Sequence, residues 1–313
     1  MTTQKNLRIE ARGISKSYSS LVALNNLSFC LKPGECAVFV GPNGAGKTTL
    51  CEILEGLQKP DQGSVLINGM SYQGHRKQIL ENIGVLSQDT ALYKKYTVQE
   101  TLELFASFYS RDIDLALLVR KLELESYLSK RLEELSGGQK QHVYLACSVV
   151  HEPNLLFFDE PTTGLDPNAR RKIWGLVEAM KKSNRSVLLT THYMEEAERL
   201  GDTIFFLDKG NIMASGSAKA LIRKYCSKNI ISFYVSERVA RNLRLHSSLP
   251  KWFPEEQLGS QYVEFSVSDS TKELQKIIHF FSEEKMELTS LSVRKSTLDD
   301  VFIKLTGRSS HVH

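Results

Sequence analysis

The stretch Gly41-Pro42-Asn43-Gly44-Ala45-Gly46-Lys47-Thr48 constrains this chain more than any other, because it fits G-x-x-x-x-G-K-S/T and lies between an apolar run and a helical one. Ala37 to Val40 reads as a buried strand, and the residues from Lys47 onward read as a helix. Glycines at such a strand-to-helix turn let backbone N–H groups face inward without Cβ clashes. The helix then points the positive end of its dipole at the anion the turn encloses. In this context Lys47 is expected to reach the β- and γ-phosphates of a nucleotide, with Thr48 ligating Mg²⁺ through its hydroxyl and Thr49 beside it.

A phosphate loop alone leaves kinases, GTPases and motor proteins open. Leu155 to Phe158 is a second apolar strand, and it ends in Asp159-Glu160. That order sets Asp159 to hold Mg²⁺ beside Thr48, and Glu160, one residue further, to polarise an attacking water. A general base needs reach to that water before it needs a special pKa. A GTPase would also carry an Asn/Thr-Lys-x-Asp base reader, which the sequence lacks.

Short β-rich runs alternate with helical patterns from Leu7 to about Ser215, which implies a mostly parallel sheet covered by helices. Val187 to Thr190 and Ile204 to Leu207 are further runs apolar on both faces. Leu27 to Leu31 and Cys36 to Val40 flank Pro33-Gly34, and are expected to enter the sheet as antiparallel strands. Between about Gln88 and Leu135 the pattern turns helical, rich in Leu, Glu and Lys. Strands are expected again at Ile230 to Val235, Tyr262 to Val267 and Leu288 to Val293, with helices near Lys272 to Phe281 and Leu298 to Leu305. The expected organisation is therefore an α/β domain over residues 1–216, with a helical subdomain at about 89–150, and a small α+β domain over 217–313 whose last residues, Ser309 to His313, are expected to fray.

The chain has 313 residues, of which 41% are hydrophobic, enough for one large core and a smaller one. A net charge of only +4 argues against a nucleic-acid machine. The five cysteines, Cys30, Cys36, Cys51, Cys147 and Cys226, have neither C-x-x-C nor metal-ligand spacing, as expected of a reduced, cytosolic protein. Residues 1–10 lack the pattern of an export signal, and no run approaches the ~18 apolar residues of a membrane helix.

Leu135-Ser136-Gly137-Gly138-Gln139, ahead of a helical run and shortly before the Asp-Glu strand, resembles the signature of the ABC-transporter ATPases. Its chemistry is readable directly: a hydroxyl, two glycines and a helix N-terminus make a second anion site. The resemblance implies the ABC ATPase fold, a phosphate-loop domain with an antiparallel β subdomain and an inserted helical one. It implies a head-to-tail dimer in which each ATP lies between Gly41 to Thr48 of one subunit and Ser136, Gly137, Gly138 and Gln139 of the other. It further places Tyr18 on the adenine, Gln88 at the Mg²⁺ and the lytic water, Asp166 across the dimer interface, and His192 at the γ-phosphate, orienting the water around Glu160. Asp166-Pro167 also marks a helix start.

One position departs from the family pattern: His142 stands where an Arg follows the signature, and a structural ion pair is expected to be weakened there. The family also contains mechanical ATPases that act on ribosomes or DNA, an alternative reading of this chain. Its single ATPase unit, the absence of long coiled coils, and the aromatic segment Leu92 to Val98 after Gln88 favour transport. Ser290 to Phe302 is similar to the tail of the daunorubicin-resistance type of export ATPase. The resemblance implies an ATP hydrolase with ATP and Mg²⁺ as cofactors. It also implies a second ATPase subunit, a separate membrane permease and no nucleic-acid partner, with the chain cytoplasmic and peripheral on the inner face of the cell membrane.

Overall fold

The computed structural model describes residues 7–88, 92–226, 229–245, 250, 252–254, 257 and 260–307; the expectation for Ser309 to His313 lies outside them. Two compact units divide the chain, Met1–Ala218 and Lys219–His313.

In the first unit the strands are β1 (Ile9–Tyr18), β2 (Leu21–Leu31), β3 (Cys36–Val40), β4 (Gln62–Ile67), β5 (Ile83–Leu86), β6 (Leu155–Asp159), β7 (Ser186–Thr191), β8 (Thr203–Asp208) and β9 (Asn211–Gly216). Its helices are α1 (Lys47–Leu54), α2 (Tyr72–Leu80), α3 (Val98–Ser107), α4 (Leu115–Lys121), α5 (Gly137–Val149), α6 (Pro167–Lys182) and α7 (Met194–Leu200). The main sheet runs β5-β6-β7-β3-β8-β9, parallel except for β9, which returns antiparallel to β8. Every residue of β3, β6 and β7 is buried, as strands covered on both faces require.

One expectation is corrected. β2 and β3 do not pair with each other; β2 joins β1 and β4 in a separate antiparallel sheet, while β3 lies parallel between β7 and β8. The burial pattern supplies the reason. Along β2 buried and exposed positions mix, as in a sheet with one wet face, whereas β3 is uniformly apolar and must be enclosed. The two sheets share one core, in which Phe39 stacks on Phe205 at 4.7 Å and meets Phe29 edge-on at 4.9 Å.

Between β5 and β6 the described residues form helices and no strand. Thr97 opens α3 with a capping box shared with Glu100. The described residues hold no helix long and apolar enough to cross a membrane, and all five cysteines are free.

The second unit begins within α8 (Ala218–Tyr225) and contains β10 (Asn229–Val235), α9 (Glu237–Leu245), β11 (Tyr262–Val267), α10 (Ser270–Glu283), β12 (Leu288–Lys295) and α11 (Leu298–Thr306). Its antiparallel sheet has the order β11-β10-β12. Phe233, Val263, Ile277 and Phe281 lie in its core. Arg294 pairs with Asp300 at 2.8 Å, tying the end of β12 to α11.

Gly84 shows how tightly α5 lies on the main sheet, since a Cβ there would stand 2.1 Å from the Ser148 carbonyl oxygen. Gly84→Ala is expected to destabilise the chain by about 1–3 kcal/mol, read as a lowered urea midpoint.

Candidate functional site

Four strand ends at one edge of the main sheet carry the residues singled out above. In the order β5, β6, β7, β3, the chain leaves the sheet at Gln88, at Asp159-Glu160, at His192 and at the phosphate loop. In open parallel sheets, ligands bind outside the carboxyl ends of the strands. The pairings Asp159↔Thr190 and Val40↔Thr191 bring the end of β3, more than a hundred residues away in the chain, beside the ends of β6 and β7.

The loop is shaped by close backbone approach. A Cβ on Gly41 would lie 2.1 Å from the Leu207 carbonyl oxygen, and one on Gly46, at φ 105°, would lie 2.4 Å from that of Ala23. Gly44 has φ 78° and faces open space. Pro42, Asn43 and Ala45 complete the turn, closed by an Ala45 N–H bond to the Pro42 carbonyl. Lys47 is 5% exposed, and its Nζ donates to the carbonyls of Gly41 at 2.9 Å and Pro42 at 3.1 Å. The same Nζ lies 3.1 Å from Glu160 Oε1.

Glu160 is held from several sides. Its N–H points at the Thr190 hydroxyl, 3.1 Å away, and its own φ is 50°. A non-glycine residue in the left-handed region is uncommon and persists where its surroundings fix it. Its Oε2 accepts from the Thr163 hydroxyl at 3.1 Å and lies 3.1 Å from His192 Nδ1. Burial pushes the carboxyl up, but Lys47, His192 and Thr163 together draw it below its ordinary value. The cluster is a buried cation, an ionised carboxylate and an imidazole in mutual contact, able to hold an anion and to accept a proton.

Asp159 is buried, and the Thr190 hydroxyl donates to its Oδ1. It looks toward α1, where the Cys51 thiol is pushed well up by burial and then by this carboxylate. Thr48 and Gln88 are exposed, and Thr49 is half-buried. Tyr18 ends β1 with its ring 40% exposed and its hydroxyl donating to Gln58 Oε1 at 2.8 Å.

The signature residues do not join this cluster. Ser136 caps α5 by accepting from Gln139 N, and its own N–H donates to Gln139 Oε1 at 3.0 Å. Ser136 and Gly137 are exposed, and a Cβ on Gly138 would lie 3.1 Å from the Ala169 methyl. Asp166 caps α6 through Asn168 N and Ala169 N, so the helix-start reading is realised. His142 is buried with Nδ1 3.2 Å from the Tyr127 hydroxyl, and its Nε2 has no partner among the described residues. Burial lowers its pKa, and it joins no ion pair among the described residues.

Thr163, Thr190 and Gln141, whose amide donates to the Pro161 carbonyl at 2.8 Å, went unmarked in the sequence. The threonines adjoin Glu160 and His192, which was the available signal.

Residues 24–163 match the family model described as ABC transporter. Over 305 residues the chain is 33% identical to Nod factor export ATP-binding protein I of Rhizobium leguminosarum bv. viciae, covering 96% of this chain and 95% of that one. This chain belongs to the ABC transporter ATP-binding family. Its fold is correspondingly close to a solved ATP-binding subunit of an ABC transporter, at TM-score 0.64 and 30% identity over 69% of this chain and 92% of that one. A second solved relative, a dimeric ATP-binding cassette in a post-hydrolysis state with ADP and Pi, has TM-score 0.61 and 26% identity over 67% of this chain and 98% of that one. As an ABC ATPase the chain binds ATP and hydrolyses it in step with transport.

The residues present suit that ligand. An inward-facing glycine turn, a helix N-terminus and a buried lysine form one anion-binding edge, with acids at the end of β6, one strand beyond β7.

Because Lys47 is the first of the groups that offset burial at Glu160, ahead of His192 and Thr163, Lys47→Met is expected to raise the pKa of the Glu160 carboxyl. With its native pKa depressed, ionised Glu160 contributes stability that is complete above the unfolded value and lost as pH falls through the folded one. A carbon-13 titration of the side chain in both proteins checks the direction.

Proposed function

We propose that two copies of this chain close head-to-tail around two ATP molecules and so drive a separate membrane permease in export. The observation that carries the hydrolytic part is the contact of Lys47 and His192 with opposite oxygens of Glu160, each at 3.1 Å. Lys47 holds the β- and γ-phosphates and exchanges its partner from Glu160 to phosphate when nucleotide enters. Glu160, freed on that side and ionised, takes a proton from the attacking water, while His192 orients the carboxylate and meets the γ-phosphate. Asn43, Gly44 and Gly46 offer backbone N–H groups, and Tyr18 stacks on the adenine.

Asp159, Thr48 and Gln88 are the residues we assign to Mg²⁺, which when bound neutralises charge developing on the phosphates. Asp159 suits this, being a buried carboxylate at a strand end facing α1.

Ser136, Gly137, Gly138 and Gln139 serve the ATP of the other copy. The exposure of Ser136 and Gly137 at the start of α5, with Gly138 and Gln139 half-buried beside them, and the dimeric form of a solved relative support this reading. Asp166, at the exposed start of α6, is assigned to the same interface. The exposed pair Tyr93 and Tyr96, edge-on at 4.8 Å, offers the permease an aromatic contact. Export is favoured by the name carried by the Rhizobium relative. The working position would be the inner face of the cell membrane, reached through the permease. In this reading residues 1–216 are the catalytic domain and 217–313 an accessory one.

Glu160→Gln is expected to lower phosphate release by about 10²–10³-fold while retaining ATP in a dimer that elutes early in gel filtration. Lys47→Ala should instead weaken nucleotide binding. A Glu160→Gln chain that stayed monomeric at saturating ATP would contradict the sandwich.

A further inference from the structure

A buried carboxylate outside the proposed chemistry stands directly behind the reacting pair. Glu196 on α7 is 0% exposed. Its Oε1 accepts from Trp174 Nε1 at 2.8 Å and from the Thr162 hydroxyl at 3.0 Å. A carboxylate taken out of water is tolerated only where donors converge on it, so this geometry is strongly constrained. The donors come from two elements, α6 and the loop after β6.

Their positions in the chain give the cluster its meaning. Thr162 precedes Thr163, which donates to Glu160 Oε2, and Thr191 precedes His192, which contacts the same oxygen. The threonine that Glu196 anchors, Thr162, therefore adjoins a residue that sets the orientation of Glu160. The hydroxyl of Thr191 accepts from Tyr193 N at 3.0 Å, fixing the backbone on the far side of His192. The phosphate loop is held separately, by Lys47 on the carbonyls of Gly41 and Pro42.

We infer that Glu196 is a positioning residue for hydrolysis, a buried clamp that fixes the chain at Thr162 so that Thr163 holds the Glu160 carboxylate in one orientation. This rests on Glu160 being the group that acts on water. Small misplacements of a reacting group are costly to the chemical step and leave binding made elsewhere intact. Glu196 Oε2 has no hydrogen-bond partner among the described residues, so a glutamine can keep both Oε1 contacts.

The test uses the full chain, with ATP turnover, affinity for a fluorescent ATP analogue and thermal midpoint measured together on Glu196→Leu, Glu196→Gln, Thr162→Val and Glu160→Gln. Glu196→Leu is expected to lower kcat by about tenfold or more with affinity within about twofold, while Glu196→Gln keeps most of the turnover. Thr162→Val should fall in the same direction, and combining it with Glu196→Leu should add little. Unchanged kcat in Glu196→Leu, or a parallel fall of kcat, affinity and thermal midpoint, would reduce Glu196 to an ordinary core group. If Glu196→Leu does not fold, unchanged turnover in Thr162→Val overturns the proposal by itself. Normal turnover in Glu160→Gln would instead remove the reading of Glu160, and the clamp with it.

Discussion

The buried contact between the Lys47 ammonium and the Glu160 carboxylate organises this molecule. Two charges out of water are stable only with good geometry and further hydrogen bonds, and both have them: two loop carbonyls on Lys47, and Thr163 and His192 on Glu160. Those partners come from the ends of three strands, so the contact requires β3, β6 and β7 to lie side by side. An incoming phosphate would compete with Glu160 for the same lysine. The resting pair thus keeps the lysine in place and the carboxylate ionised without committing either to its partner.

The backbone around this contact carries conformations that only dense surroundings sustain. Glu160 is left-handed, and the Thr190 carbonyl and hydroxyl both meet its N–H. Gly41 and Gly46 lie against the carbonyls of Leu207 and Ala23, which fixes the loop against β8 and β2. Glu196 continues the same logic one layer further back, holding Thr162, the neighbour of a residue that holds Glu160.

The signature helix is linked to this centre from behind. Gln141, five residues beyond Ser136, bonds the carbonyl of Pro161, next to Glu160. Gly138 meets Ala169 on α6, whose cap is Asp166. The start of α5 and the segment bearing Glu160 are therefore joined directly, by the 2.8 Å bond from Gln141 to the Pro161 carbonyl.

Motif spacing in the sequence already determined the α/β class, the phosphate loop, the acid-ended strand and the buried strands β6, β7 and β8, because these depend on local periodicity and on residue types that few other contexts tolerate. It marked Lys47, Glu160 and His192 individually. Tertiary structure alone decided that β2 leaves β3 for a second sheet, because pairing depends on which faces are enclosed, and the turn at Pro33-Gly34 reads the same either way. Tertiary structure likewise decided that His142 meets the Tyr127 hydroxyl and joins no ion pair among the described residues, since burial and partners are not encoded in its spacing. Glu196 is the clearest case: within Glu195-Glu196-Ala197-Glu198 it reads as one acid among several on a solvated helix. Only the approach of Trp174 and Thr162 from two other elements makes it the buried, bonded one.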